Sequence, residues 1–369
     1  MISKQKLTKI ALVSTAMILM LISISGARPF AYVPNQGDNT TTIFDTATNT
    51  VISTVPVGHY PFGVAVSCTD AYVTNEGDNT VTVIDTATNI PIAIVSVGTD
   101  PLGIAVNPDG TKVYVANDLD NTTSVIDTST NAVITNIKVG VYPIGVAVSP
   151  DGKKVYVTNA GSNTVSVIDT ATNAVISTVS VGAFPQGVVV SPDGTKVYVT
   201  NFDGVSVSVI DTATNAVAAT VTVPGSPEGI AISPDGTNVY VTDIYSYSID
   251  VIDTATNAVT ATVPLGNYQP YGISVAPDGT KVFAAISGNS YVAVINTVTN
   301  KAEGAVYVGL APASFGQFIQ PGCCPECPQL KHHKPCEITL ITDPCTQSVD
   351  VLKFPVGDDF MTFPFGHKH

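Results

Sequence analysis

Cysteine and histidine have the most distinctive spacing in this chain. Five of the six cysteines lie between residues 323 and 345, and the sixth, Cys68, lies far upstream. Two chemistries fit. An even number of cysteines in an exported chain favours disulfides. Cys324-x-x-Cys327, followed by His332, His333 and Cys336, has instead the spacing of zinc ligands. We favour disulfides, and the candidate half-cystines are Cys68, Cys323, Cys324, Cys327, Cys336 and Cys345.

Carboxylates form a second pattern with possible metal chemistry. Asp38, Asp78 and Asp120 occupy matching loop positions about 40 residues apart, with Glu76 and Asp118 close by in sequence. Oxygen ligands from neighbouring loops suit Ca²⁺. Because the chain has no Asp-x-Asp-x-Asp-Gly loop, we favour a solvated acidic rim over a calcium site.

Support for catalysis is thin. His59 is the only histidine between residues 28 and 320, and one histidine on a variable loop specifies neither a nucleophile nor a substrate. The haem-attachment motif Cys-x-x-Cys-His is absent, as is a glycine-rich phosphate loop after a strand. We therefore predict no catalytic residues.

Charge and composition narrow the function classes. Only 12% of the 369 residues are charged, 44% are hydrophobic and the net charge is −14. That composition excludes a disordered chain, which needs low hydrophobicity and high charge. Duplex nucleic acid needs a clustered basic face, whereas the lysines here are scattered and outnumbered by acidic residues. We therefore expect no duplex nucleic acid among the partners.

The amino-terminal segment is typical of a secretory signal. Lys4, Lys6 and Lys9 precede an apolar run over residues 10–24, which Ser-Gly-Ala at 25–27 follows. The run is shorter than the roughly 20 residues of a transmembrane helix, so we favour cleavage after Ala27 over retention as an anchor. No later segment could span a membrane as a helix. We expect a secreted or cell-surface protein.

One unit repeats seven times between residues 28 and 320. The turn Asp-Thr-Ala-Thr-Asn and its variants recur at steps of 40, 42, 42, 42, 42 and 43 residues, from Asp45 to Asn296. A second marker, Tyr-Val-Thr-Asn in its commonest form, keeps the same phase from Tyr32 to Tyr240 and is degenerate at Phe283. A period near 40–45 residues matches one blade of a β-propeller.

Each repeat predicts four short strands, A to D from the channel outward. Strand-forming runs alternate with turns such as Ser-Pro-Asp-Gly at 191–194. The chain begins with strand B of the first blade, and Pro312–Gln320 resembles the missing strand A, so both chain ends should close that blade. We predict an all-β, seven-bladed propeller of four-stranded antiparallel blades. The expected domains are a signal peptide (1–27), the propeller (28–320) and a Cys-rich tail (321–369).

These repeats resemble the YVTN family of β-propeller repeats, found in archaeal surface-layer proteins and exported bacterial propellers. The resemblance covers roughly residues 31–320. It implies an extracellular or cell-surface binding role without catalytic activity, such as adhesion or an envelope-associated scaffold. Protein, peptide or carbohydrate ligands at the cell surface are the partners it implies.

Three consecutive blades depart from the repeat where a ligand surface could form. The residue before the inner glycine is apolar in four blades but is Gln186, Glu228 or Tyr271 in the other three, and the same blades have aberrant B–C loops. Tyrosine suits carbohydrate or peptide contacts because its ring packs while its hydroxyl bonds. The predicted surface comprises Gln186, Phe202, Asp203, Glu228, Asp243, Tyr245, Tyr247, Tyr268 and Tyr271. Free variation of loops is the competing interpretation.

An enzymatic alternative involves some of the same residues. A lactonase-like, metal-dependent hydrolase would place acidic and amide residues around a metal at the channel mouth, and Gln186, Glu228 and Asp243 are the residues available for it.

Cys68 has a predicted partner. It lies in a shortened A–B turn on the face where the closing strand A ends, and Cys323 follows that strand directly. We predict a disulfide from Cys68 to Cys323 or Cys324.

Overall fold

The computed structural model describes residues 29–321 in full and the backbone of three further strands. The chain divides into two compact units, residues 1–323 and 324–369. The predicted signal (1–27), the zinc ligands proposed for the tail and the cysteines from Cys323 onward lie outside the described residues. Those interpretations therefore stay predictions.

The first unit is made of short antiparallel sheets, which are numbered here as blades. Blade 1 contains β1 (Phe30–Asn35), β2 (Thr40–Asp45) and β3 (Thr50–Pro56). Blade 2 contains β4 (Pro61–Val66), β5 (Asp70–Asn75), β6 (Thr80–Asp85) and β7 (Ile90–Ser96). Blade 3 contains β8 (Pro101–Val106), β9 (Lys112–Asn117), β10 (Thr122–Asp127) and β11 (Ala132–Lys138). Blade 4 contains β12 (Pro143–Val148), β13 (Lys154–Asn159), β14 (Thr164–Asp169) and β15 (Ala174–Ser180).

Three further blades complete the unit. Blade 5 contains β16 (Pro185–Val190), β17 (Lys196–Asn201), β18 (Ser206–Asp211) and β19 (Ala216–Thr222). Blade 6 contains β20 (Pro227–Ile232), β21 (Asn238–Asp243), β22 (Ser248–Asp253) and β23 (Ala258–Pro264). Blade 7 contains β24 (Pro270–Val275), β25 (Lys281–Ile286), β26 (Tyr291–Asn296) and β27 (Lys301–Tyr307). The predicted all-β, seven-bladed propeller is confirmed for residues 29–321.

The repeated Tyr-Val-Thr-Asn segment both fills the core and joins neighbouring blades, as blade 5 illustrates. Tyr198 is fully buried in a hydrophobic cluster that spans two blades. The Thr200 hydroxyl accepts a hydrogen bond from the Gly187 N–H at 2.7 Å and donates to the Glu228 carbonyl of blade 6 at 2.7 Å. A buried backbone group without a partner costs about 1–3 kcal/mol, which accounts for the recurring threonine.

Asparagine at the end of strand B binds strand C in blades 1 to 5. The Asn201 amide donates to the hydroxyls of Ser206 and Ser208 at 3.1 and 3.0 Å. Blades 1 to 4 make the same pair of bonds from the equivalent asparagines, Asn35, Asn75, Asn117 and Asn159. This pair of bonds thus fixes the B–C hairpin in five blades.

The inner glycines permit close approach of the A strands around the axis. A Cβ atom on Gly229 would overlap the carbonyl oxygen of Tyr271 in the next blade. The glycine before each A-strand bend is therefore required by packing, and the residue in front of it lies at the channel mouth.

The carboxyl-terminal end of the unit closes blade 1, as predicted. The Tyr32 N–H donates to the Phe318 carbonyl at 2.8 Å, and the Gln320 N–H donates to the Phe30 carbonyl at 2.9 Å. Residues 312–320, the closing segment, nonetheless form isolated bridges in place of a regular strand. Positive φ angles at Ser314 (52°) and Gly316 (109°) interrupt the strand ladder.

Cys68 lies beside the end of the closing segment. The Gln320 side-chain amide donates to the Cys68 carbonyl at 3.3 Å, and Cys68 is disulfide-bonded. Its partner lies outside the described residues, so the pairing with Cys323 or Cys324 stays a prediction.

The second unit contains three antiparallel strands. They are β28 (Thr339–Thr342), β29 (Val349–Val356) and β30 (Asp359–Pro364), paired in that order. All residues of the candidate site lie in the first unit.

Candidate functional site

Strand A of blades 6 and 7 places an acid and a tyrosine together at the channel mouth. Glu228 and Tyr271 each precede the inner glycine of β20 or β24. Burial raises the pKa of Glu228 to about 7. Burial also raises the pKa of Tyr271, and the neighbouring Glu228 and Tyr245 add to that shift. A carboxyl group 5% exposed in the free protein is therefore partly protonated at neutral pH.

A row of aromatic rings spans blades 5 and 6. The rings of Phe184 and Phe202 lie 6.2 Å apart, and those of Phe202 and Tyr245 lie 5.9 Å apart, both edge to face. Tyr245 is 62% exposed, so the row ends in solvent. We call Phe184, Phe202, Glu228, Tyr245 and Tyr271 the mouth cluster.

Phe184 is not among the surface residues that the sequence predicts. It occupies the residue before the first proline of strand A, where blades 2 and 4 have Tyr60 and Tyr142. An aromatic residue that recurs at one position of the repeat is expected to be structural. Its contact with the Phe202 ring and its packing beside Phe315 place Phe184 at the mouth.

An apolar plug adjoins the mouth cluster. Phe315 of the closing segment is 4% exposed and packs with Ile144 and Ala160, and Phe62, Leu102 and Phe184 pack against these three. The inner glycines leave a cavity of about 20 Å³ along the axis, enough for roughly one water molecule. Phe315 is therefore the ring that blade 1 contributes to the plug.

Two predicted surface residues serve the scaffold. Asp243 is fully buried in blade 6, where its Oδ1 accepts the Ser246 N–H at 3.0 Å. Tyr247 has φ of 53°, and its carbonyl accepts the Leu265 N–H at 2.8 Å. Both residues therefore have a role in the local structure of blade 6.

The remaining predicted residues are divided between two places. Gln186 lies half-buried beside the mouth, with its carbonyl accepting the Thr158 hydroxyl at 2.6 Å, and Asp203 is exposed in the next loop. Tyr268 packs edge to face on Tyr291, with ring centroids 6.1 Å apart. The structure therefore places Tyr268 in a separate group of tyrosines on blade 7.

The three aspartates considered for calcium each bind backbone. Oδ2 of Asp78 accepts the His59 N–H at 2.8 Å, and Oδ2 of Asp120 accepts the Thr99 N–H at 2.7 Å. Asp38 accepts the Leu310 N–H in the same manner. They therefore fasten the D–A loops. Among the described residues no group of three or more His, Cys, Asp or Glu could hold a metal ion, and calcium stays a prediction without support from these contacts.

His59 also has a structural contact. Its Nδ1 lies 3.1 Å from Oδ1 of Asp78, and the histidine side chain is 69% exposed. This exposed pair joins the loop before β4 to the β5–β6 loop of blade 2.

The fold and the site together define a seven-bladed β-propeller with an acidic and aromatic cluster at one channel mouth. A family profile described as "Choice-of-anchor I domain" matches residues 104–269, less than half of the chain. A comparison with curated proteins finds no match. The YVTN assignment of the repeats is thus a prediction, while similarity to a propeller-type anchor domain is an observation.

Solved structures share the fold. A hydrazine synthase structure from Kuenenia stuttgartiensis is 27% identical, with a TM-score of 0.66 over 72% of this chain and 92% of that chain. A functionally unknown protein from Desulfotomaculum acetoxidans is 20% identical, with a TM-score of 0.66 over 78% and 99%. The dihydro-haem d1 dehydrogenase NirN is 15% identical, with a TM-score of 0.59 over 77% and 74%.

Within the described part of the chain, no helix has the length and apolar character needed to cross a membrane.

Proposed function

We propose that this chain is an exported, cell-surface binding module of the YVTN type, which docks a protein partner at the mouth cluster. The buried Glu228 carboxyl beside Tyr271 and the Phe184–Phe202–Tyr245 row carries the proposal. The amino-terminal signal pattern and the match to an anchor domain support a location at the cell surface. Adhesion or envelope scaffolding is the role that this location favours.

The chemistry of the cluster favours a basic side chain on the partner. Aromatic faces attract a cation, and a desolvated carboxylate beside them adds an ion pair. The chain as a whole has a net charge of −14, which steers a basic partner toward it. A lysine or arginine inserted at the mouth would therefore be held by both charge and ring contacts.

Titration with a fluorescein-labelled peptide that alternates lysine and glycine tests this recognition. We expect Glu228→Gln to weaken binding by about 10-fold, the loss of roughly one charge-assisted hydrogen bond. Binding should also weaken as pH falls from 8 to 6, because the proton on Glu228, whose pKa is about 7, competes with the ligand. Asp278→Asn, which removes an exposed carboxylate from an A–B turn, is the charge-matched control.

Equal losses in Glu228→Gln and Asp278→Asn would show that binding reflects net charge alone and would contradict the proposal. Binding by the wild type that is independent of pH between 6 and 8 would contradict it as well.

No specific observation favours the lactonase-like alternative. Glu228 lies at the mouth, but Asp243 is buried inside blade 6, and the axial cavity is about 20 Å³.

A further inference from the structure

Blade 7 has a groove whose walls are formed by residues that the other six blades lack. It has a volume of about 490 Å³ and lies along strands β26 and β27 near the loop before β24. Three tyrosines wall it: Tyr291 lies 6.1 Å from Tyr268 and 6.5 Å from Tyr307, ring centroid to ring centroid. Its lining residues are Pro264, Leu265, Tyr268, Asn289, Tyr291, Ala293, Ala302, Gly304, Ala305 and Tyr307.

The internal repeats show that the walls are specific to this blade. Tyr291 and Tyr307 are cross-strand partners at the end of the C and D strands. The other six blades place small or polar residues at the Tyr291 position: Thr40, Thr80, Thr122, Thr164, Ser206 and Ser248. At the Tyr307 position they have Pro56, Ser96, Lys138, Ser180, Thr222 and Pro264.

The floor departs from the repeat in the opposite direction. Ala293 faces Ala305 across the strands, where blade 3 pairs Ser124 with Asn136. Gly304 has no neighbour within 4 Å of the position that a Cβ would take. Blade 7 therefore has tyrosine rings at the walls of the groove and small side chains at its floor. A flat ligand could contact the rings and the floor at the same time.

The chemistry of the groove defines the class of ligand. None of the ten lining residues is charged, which favours a neutral ligand. Tyrosine rings pack against apolar faces while their hydroxyls bond, and the exposed Asn289 amide both donates and accepts. Burial and the neighbouring Tyr268 and Tyr307 raise the pKa of Tyr291, so its hydroxyl keeps its proton at neutral pH.

We propose that the blade 7 groove is a binding site for a neutral saccharide, separate from the mouth cluster. A sugar ring offers both an apolar face for the tyrosines and hydroxyls for Asn289 and the phenols. The volume lies within the range of small-ligand sites, about 300–1,000 Å³.

An array of neutral glucose, mannose, galactose and N-acetylglucosamine oligomers, probed with the mature chain, tests the proposal. The double variant Tyr291→Ser with Tyr307→Thr gives blade 7 the pair that blade 5 has at Ser206 and Thr222, so the fold is expected to persist. We expect at least one glycan class to bind and the double variant to lose binding by 10-fold or more.

Two controls keep the result interpretable. Glu228→Gln should leave glycan binding unchanged, since it changes only the mouth cluster, and unchanged melting of the double variant would exclude a folding defect. No binding of any neutral glycan by the wild type, or undiminished binding by the double variant, would overturn the proposal. Binding restricted to charged glycans would overturn it too.

Discussion

Glu228 shows how one substitution at a repeat position changes the chemistry of a site. In blades 2 to 4 the equivalent residues are Phe62, Leu102 and Ile144, which pack into or around the apolar plug. A carboxyl group at the same place loses most of its water, so burial raises its pKa to about 7. Between about pH 4.5 and 7, the native state therefore keeps a proton on Glu228 that the unfolded chain releases.

The stability of the propeller should consequently fall as pH rises from about 4.5 to 7 and then level off, as far as Glu228 contributes. The raised pKa means that the native state binds more protons than the unfolded state across this window, which lowers the free energy of unfolding with increasing pH. A pKa shift of this size corresponds to a change of about 3 kcal/mol in the free energy of unfolding between the two ends of this pH range. Glu228→Gln should lack this component.

Urea denaturation of the wild type and Glu228→Gln at pH 5 and pH 8 measures it. The difference between the two proteins isolates Glu228, because other shifted carboxyls, such as Asp118 with a pKa raised to about 6, are common to both. The same pH dependence in both proteins would contradict the assignment.

The B–C hairpin is the element in which blade 6 departs most from its neighbours. Five blades fasten this hairpin with an asparagine amide that donates to two hydroxyls. Blade 6 has Asp243, Ser248 and Asp250 at those three positions. Oδ2 of Asp243, Oγ of Ser248 and Oδ2 of Asp250 are all buried without a hydrogen-bond partner. Burial and the charge of Asp243 raise the pKa of Asp250.

Asp243→Asn should therefore stabilise the protein by about 1–3 kcal/mol at pH 8. The restored amide can donate to Ser248 and Asp250, and one of two buried negative charges is removed. Thermal and urea denaturation measure the gain, with the exposed Asp203→Asn as a matched control. A loss of stability in Asp243→Asn would show that the carboxylate has another partner.

At the scale of the whole molecule, the closing segment converts a row of blades into a ring. Phe315, Phe318 and Ile319 of that segment are at most 4% exposed, and its backbone bonds with β1 satisfy an edge that would otherwise be open. Each large apolar side chain contributes roughly 1.5–3 kcal/mol on burial.

A chain that ends at Gly309 should melt well below one that ends at Pro321, because only the second retains the closing segment. Both variants lack the tail cysteines, so the disulfide of Cys68 does not contribute to the difference in melting temperature. Differential scanning calorimetry gives the two melting temperatures. Equal values would mean that the ring is held without the segment.

Much of the fold could be predicted from the sequence because seven copies of the repeat show the same strand and turn pattern, even where a single copy is ambiguous. The markers at Asp211 and Tyr198 recur in phase, and each has a local physical role: Oδ1 of Asp211 accepts the Thr214 N–H at 2.8 Å, and Tyr198 fills an interblade core. The candidate site was less predictable. Phe184 and Phe315 gave no sequence signal, since an aromatic residue at a scaffold position has the same pattern whether it faces the core or the mouth.

The sequence by itself determined the number of blades, the strand order and the closure by both chain ends, because these follow from period, turn chemistry and alternation. Only the tertiary structure decided which departures from the repeat meet. It buried Asp243, placed Glu228 beside Tyr271, and separated Tyr268 from the mouth to join Tyr291 and Tyr307. The physical reason is that contacts between blades depend on the depth and direction of each side chain, which repeat position alone does not fix.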